Sequence, residues 1–273
     1  MRVCWFGAWD PGYPRNRILR EGLERCGIEV VEARVRERRA IWRYPPLVSA
    51  YRSAPSSDVV FVPCFRHKDV PLARALAGRT PVVFDPLVSR HDTLVGDWGK
   101  HREGSAQAWW NRRIDRMAFR WSDAVLCDTW AHGGLFRDLG APPERLHRIV
   151  VGAEDSFFEL PDAPDSGPIE ILYAGGFLPL HGTPVLVEAL SLLETAADRL
   201  PEYRVRLIGS GIEFDDARER ARRLGVQRAC FEGARPYAEL PSAMARAQVV
   251  LGAFGSTDKA GRVVPHKVWQ GLA

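Results

Sequence analysis

Short apolar runs rich in β-branched residues alternate with longer segments of helical periodicity along nearly the whole chain. In its first half "RVCWF", "IEVVEA", "DVVFVP", "TPVVFDP", "DAVLCD" and "HRIVV" read as strands. Most are near-continuous apolar runs and not apolar–polar alternations, which suits strands covered on both faces of a parallel sheet. Between them, "NRILREGLERCG" sets Ile18, Leu19, Gly22, Leu23 and Cys26 on one helical face, with Gly27 as the stop. "SAQAWWNRRIDRMAFRWS" is the long helix of this half, with Trp110, Ile114, Met117 and Trp121 at helical spacing. Parallel neighbours need a crossover, so a chain that keeps alternating this way is directed to an open α/β sheet.

The alternation then stops and starts again. "ELPDAPDSGP", residues 159–168, is rich in Pro, Asp, Ser and Gly and has no period, so it reads as a linker. After it come "IEILYA", helix "TPVLVEALSLLET", "YRVRLIG", helix "DDARERARRLG", "RACFEG", helix "YAELPSAMARA" and "VVLGAFG". Thr183 and Pro184 make a helix start, a hydroxyl cap followed by proline at the first helical position. The predicted fold class is α/β with two Rossmann-like doubly wound lobes, residues 1–158 and 169–273. A length of 273 residues is comfortable for two domains. "VVPHKVWQGLA" opens a helix with no cap or closing strand, so the second lobe is expected to be incomplete and the chain truncated.

Composition removes several function classes. No apolar run approaches the ~20 residues that cross a bilayer, and "MRVCWFGAWDPG" reads as an opening core strand, not a signal peptide. The five cysteines are scattered with no C-x-x-C pair, which argues for reduced thiols in the cytoplasm and against disulfides and zinc. Four of them (Cys4, Cys64, Cys127 and Cys230) lie in or beside strand-like runs, where free cysteine behaves as a buried hydrophobe. The net charge of +4 hides an asymmetry: residues 1–158 hold 25 Lys+Arg against 19 Asp+Glu, and residues 159–273 hold 13 against 15. A basic first lobe points toward an anionic partner or surface. "RVRERRAIWRY", 34–44, concentrates that charge, five arginines with Trp42 and Tyr44. Such a cluster suits a solvated loop, a membrane surface or a phosphorylated acceptor; nucleic acid is not expected.

Candidate chemistry gathers in the second lobe. In a doubly wound sheet, ligands lie outside the carboxyl ends of the strands. The turn "GGFLPLHGT" follows "ILYA", and its glycines Gly175, Gly176 and Gly182 allow close backbone approach while the next helix directs N–H groups at an anion. It is equally readable as a tight turn, since it is neither a Walker loop nor a G-x-G-x-x-G. "LIGSG" repeats the device with Gly209 and Gly211 after the next strand, so both turns would share one sheet edge. "STDKAGRVVPHKVWQ" adds Lys259, Arg262, His266 and Lys267 in a loop entering a helix, enough charge to neutralise a pyrophosphate.

In this order the segments "IEILYAGGFLPLHGTPVLVEAL", "VRLIGSG", "CFEGARPYAELPSAMARAQVVLGAFGS" and "VVPHKVWQGLA" resemble the nucleotide-sugar lobe of the family-four glycosyltransferases. "GAWDPGYPRNRILREGLERCGIEV" and "SDAVLCDTWAHGGLF" resemble parts of that family's acceptor lobe. The resemblance implies the GT-B fold, a nucleotide-diphosphate sugar as donor, retention of anomeric configuration, and no metal or other cofactor. The family's "G-R-L-x-P-x-K-G" stretch falls on residues 175–182, so its pyrophosphate-gripping arginine and lysine correspond to Gly176 and His181. Of its two glutamates, the second, which holds ribose hydroxyls, falls on Gln270 and the first near Arg262. Glutamine can still bond hydroxyls; arginine cannot replace a carboxylate. "PHKVWQGLA" resembles a branch that carries "P-x-K-V-x-x-x-L-A" here. The acceptor lobe of the family often supplies a histidine near the donor sugar, which makes Asp85, His91 and Asp92, after "TPVVFDP", the candidate catalytic residues. The implied acceptor is a carbohydrate or a lipid-linked one, met in the cytoplasm or through peripheral contact at the inner membrane face.

Two readings follow from different classes. One is a GT-B glycosyltransferase; the other is a non-catalytic relative that binds a nucleotide or partner, favoured by Gly176, His181, Gln270 and the early end. A dinucleotide-dependent oxidoreductase would need a G-x-G-x-x-G after the first strand, which "FGAWDPGYP" does not provide.

Overall fold

A computed structural model describes residues 1–37, 39–160 and 167–273. The chain divides into two compact units, Met1–Val151 and Gly152–Ala273. Residues 152–158, read in the sequence with the first lobe, group with the second unit. Of the expected linker 159–168, residues 161–166 lie outside the described residues.

Unit 1 runs β1 (Arg2–Gly7), α1 (Pro14–Arg25), β2 (Glu29–Arg34), α2 (Ala40–Ser53), β3 (Val59–Val62), α3 (Val70–Ala77), β4 (Val82–Phe84), α4 (Ala106–Trp121), β5 (Ala124–Cys127), α5 (Trp130–Asp138) and β6 (Leu146–Arg148). All strands are parallel, in the order β2-β1-β3-β4-β5-β6. Both faces of the sheet are covered, which is why its strands lack polar alternation. Cys4, Phe6, Val60, Val62, Phe84 and Val125 pack to one side with Phe119 and Phe136; Val3, Trp5, Phe61 and Leu126 pack to the other with Trp9.

Three sequence expectations change, two in this unit and one, at Cys230, in the other. The buried stripe of α4 is Ala108, Asn111, Ile114, Asp115, Ala118 and Phe119, while Trp110 and Trp121 are exposed. The helix is rotated because Asn111 and Asp115 are drawn inward to hold the loop after β4, described below. The cluster 34–44 is not one loop: from Ala40 it is helix, with Pro45 and Pro46 inside it and Arg43 buried. Those prolines remove the N–H groups that would bond the carbonyls of Ile41 and Trp42, a local break in the ladder that tertiary packing overrides. All five cysteines are free, but Cys230 is exposed, because its strand is an edge.

Unit 2 runs β7 (Ile169–Ala174), α6 (Thr183–Thr195), β8 (Tyr203–Ile208), α7 (Phe214–Arg223), β9 (Ala229–Gly233), α8 (Leu240–Ala245), β10 (Val249–Leu251) and α9 (His266–Leu272). Its four parallel strands stand in the order β10-β7-β8-β9. Tyr173, Leu186, Val187, Leu190, Val205 and Leu207 form the core on the α6–α7 side. Leu172, Ala174, Ile208, Ala243 and Met244 form a smaller one with Phe157. Among the described residues no helix is long and apolar enough to cross a membrane.

Candidate functional site

The strand order of unit 2 reverses at β7, whose neighbours are β8 on one side and β10 on the other. A crevice at the carboxyl ends of β7 and β10 is therefore where this architecture admits a ligand. Three loops meet there, and glycine makes the meeting possible. A Cβ at Gly209 would stand 1.8 Å from the Gly175 carbonyl oxygen, and one at Gly211 would stand 2.3 Å from that of Phe177. On the other flank Gly182 and Gly255 let the β7 and β10 loops pack backbone to backbone. Hydrogen bonds close the seams: Gly175 N donates to Ile208 O at 2.9 Å, Phe177 N to Ser210 O at 3.0 Å and Phe254 N to His181 O at 2.9 Å. Gly182, Gly209 and Gly211, chosen from the sequence as ligand-facing, hold the loops against one another.

The expected hydroxyl cap of α6 is replaced. Gly182, in the left-handed conformation at φ +64°, is the cap residue, and no side chain caps the helix. Thr183 donates its hydroxyl to Glu213 Oε2 at 2.5 Å instead, tying α6 to the loop after β8. No side chain caps α6 and its first turn holds no acidic residue, so its N–H groups stay open beside the β7 loop, with the Glu213 carboxylate on Thr183 offsetting part of the positive end.

His181 is not the charge carrier. Its Nδ1 bonds the Gly176 carbonyl oxygen, which also accepts from the Tyr173 hydroxyl at 2.5 Å. A carbonyl only accepts, so Nδ1 holds the proton. Burial, with the nearby charges of Lys267 and Lys259, lowers the imidazole pKa to about 4, so the ring is neutral at physiological pH.

The cation is Lys267, on the first turn of α9. Its ammonium lies 3.7 Å from the centre of the Tyr173 ring and directly behind Gly175, where an added Cβ would touch Cε and Nζ at 3.0 Å. Lys267 is 5% exposed, and its Nζ has no hydrogen-bond partner. Burial drives its pKa down from 10.5 to about 7. A buried ammonium held only by an aromatic face is costly unless an anion completes it.

Lys259 is buried near His181, and Arg262 is half-buried at the end of a single 3₁₀ turn. Gln270 does not stand open. Its amide donates to Tyr237 Oη at 2.6 Å and Glu154 Oε2 at 3.2 Å, and Tyr237 donates to Glu154 Oε1 at 2.7 Å. Glu154, Tyr237 and Tyr173 were not singled out from the sequence. Only their spacing from other elements could have marked them, and it carries no such signal.

In unit 1, Asp85 is unsuited to catalysis. It is fully buried, and Arg15 grips both oxygens, Nε at 3.0 Å and Nη2 at 3.2 Å. The same guanidinium donates to the carbonyls of Ile149 and Val150, so the pair fastens α1 and β4 to the end of the unit. His91 and Asp92 sit at the start of a π-helical turn, Asp92–Asp97. His91 Nε2 is 3.4 Å from Glu103, and Asp92 is largely buried. Buried Asp115 positions this loop, accepting from Ser89 Oγ at 2.7 Å, His91 N at 2.9 Å and Arg90 N at 3.1 Å. Burial raises its pKa to about 6 despite these donors. Asp115 was missed in the sequence because a helical aspartate between arginines reads as solvated surface.

No protein-family model and no curated protein matches the chain. Solved structures do. Alr3699/HepE of Anabaena, in complex with UDP and glucose, is 19% identical with a TM-score of 0.59, over 92% of this chain and 73% of that one. The lipopolysaccharide outer core galactosyltransferase WaaB, in its apo form, is 14% identical with a TM-score of 0.53, over the same shares of 92% and 73%. The pneumococcal O-GlcNAc transferase GtfA, in complex with UDP and GlcNAc, is 13% identical with a TM-score of 0.50, over 73% of this chain and 37% of that one. At such identities the likeness is one of fold, and it agrees with the GT-B-type pair of α/β units.

Proposed function

We propose that the chain is a glycosyltransferase that takes its sugar from a nucleotide-diphosphate sugar, retains anomeric configuration and uses no metal ion. The observation that carries this reading is Lys267, an unpartnered buried ammonium at the strand-order reversal of unit 2. The structures that share the fold include proteins holding UDP, UDP-glucose or UDP with GlcNAc, which favours a uridine diphosphate donor.

The chemistry follows from charge. Breaking the sugar–phosphate bond leaves negative charge on the diphosphate, and the group that meets it lowers the barrier. Lys267, Lys259, Arg262 and the open end of α6 supply that positive field, without the arginine and lysine that the wider resemblance places at Gly176 and His181. His181 contributes shape: by binding the Gly176 carbonyl it fixes the turn against Lys267. On the acceptor side His91 and Asp92 remain the proposed participants, while Asp85 is structural. The acceptor is a carbohydrate or a lipid-linked one. Unit 1 would reach the inner face of a membrane through α4, where exposed Trp109 and Trp110 stand beside exposed Arg112 and Arg113.

A binding-only role is favoured by one observation, the closed cluster of Gln270 with Glu154 and Tyr237, which occupies the amide expected to hold ribose. Turnover separates the two. The chain is incubated with a panel of UDP-sugars and acceptors, UDP release is followed, and the product anomer is read by NMR. One donor should be consumed with retention. Tight UDP binding with no release from any donor would leave the binding-only role.

A further inference from the structure

A second crevice lies wholly within unit 1, and none of the residues discussed so far as catalytic lines it. The strand order of this sheet reverses between β1 and β3, and a pocket of about 620 Å³ opens at their carboxyl ends. That is within the usual size of a small-molecule site. Six cationic side chains line it, Arg34, Arg36, Arg43, Arg66, Lys68 and Arg90, against one acid among the described residues, Asp10. Three neighbouring carboxylates offset part of this: fully buried Asp69 accepts from Arg43 Nε at 2.6 Å, Glu32 accepts from Arg34 at 3.3 Å, and fully buried Asp115 faces Arg90.

Four further features point to a ligand. Trp9, 5% exposed, has an indole N–H with no partner, and Arg90 Nε is likewise buried and unpaired. Helix α1 begins at the rim with no side-chain cap and no acidic residue in its first turn. Phe65 holds φ +65°, a strained conformation for a bulky residue, and sets its ring edge-on to Tyr13 at 5.0 Å on the pocket wall. Burial and the like charges of Arg90 and Arg43 push the Lys68 ammonium below its usual pKa, a crowding that a bound anion relieves.

We propose that this pocket binds a phosphate or diphosphate group carried by a small ligand. Converging guanidinium forks with an ammonium and an indole N–H match several phosphate oxygens at once, as a single carboxylate would not. Taking that ligand to be the acceptor rests on the donor reading of unit 2; the anion site itself does not.

The test is calorimetric titration of the full chain with inorganic pyrophosphate and, separately, with UDP. Arg36→Glu and Lys68→Glu should each weaken pyrophosphate binding by about tenfold or more. Lys68→Arg should keep it. The UDP binding that is lost in Lys267→Met should not change in these variants, and circular dichroism confirms that they are folded. Lys267→Met should weaken UDP binding and leave the pyrophosphate site of unit 1 intact. If no variant binds UDP, the donor reading fails while the pyrophosphate result still decides the pocket. Sedimentation with phosphatidylglycerol vesicles identifies the source. Vesicle binding lost with pyrophosphate binding in Lys68→Glu marks a lipid headgroup; loss of pyrophosphate binding alone marks a soluble ligand. Pyrophosphate affinity unchanged in both Arg36→Glu and Lys68→Glu would overturn the proposal.

Discussion

Gly209 holds φ +147°, and a methyl group there would meet the Gly175 carbonyl oxygen at 1.8 Å. Neither backbone can retreat, because Gly175 N is bonded to Ile208 O and Gly209 N to Gly233 O. Gly209→Ala should therefore destabilise unit 2 by about 3 kcal/mol or more. Gly225→Ala, at φ +71° with open space around it, should cost less. Chemical denaturation of the two variants decides; equal losses would mean that the loop seam contributes little. The presence of these glycines was legible in "YAGG" and "GSG", but their use was not. A glycine facing a phosphate and a glycine facing another backbone carry the same letter. The missing lysine at His181 was legible too, and so was Lys267 as one of the cations of the donor site; its place behind Gly175 on the Tyr173 ring was not, since residues so far apart in sequence are brought together by the β7–β10 pairing.

At the scale of elements, α6 carries the positive end of the donor site and is anchored by one charge-assisted bond, from Thr183 to Glu213. Thr183→Val keeps the shape and removes the donor. A loss of about 1–2 kcal/mol is expected, with UDP affinity falling as the helix start loosens. Thermal melts with and without UDP measure both; an unchanged melt would make the bond incidental. Strands and most helices were legible because double-sided burial removes polar residues from a strand. Helix α2 was not, because two prolines and a run of arginines read as loop until Arg43 is seen buried on Asp69. The helical spacing of Trp110, Ile114, Met117 and Trp121 did not give the buried face of α4, for a related reason. Tryptophans mark a core stripe only when no polar network competes for the interior, and Asn111 and Asp115 compete here.

Across the whole molecule the two units repeat one plan, a parallel sheet whose strand order reverses beside an uncapped helix start and a set of cations. The charge asymmetry of the sequence finds a place in the arginine-lined pocket of unit 1. The central claim concerns unit 2 and is a claim about a proton. Lys267 has a pKa of about 7 in the fold against 10.5 when free. Its buried ammonium therefore lowers stability below pH 7, and that penalty fades as pH rises from about 7 toward 10.5, where the unfolded chain binds the extra proton. A diphosphate beside it favours the charged form, so binding near pH 8 should take up a proton and weaken as pH rises. Titrating the chain with UDP between pH 6.5 and pH 9 (in buffers of different ionisation enthalpy) reads both quantities. The expected result is affinity falling by up to about tenfold per unit above pH 7, with proton uptake, and both features lost in Lys267→Met. UDP binding that is absent, or the same in Lys267→Met at every pH, would contradict it.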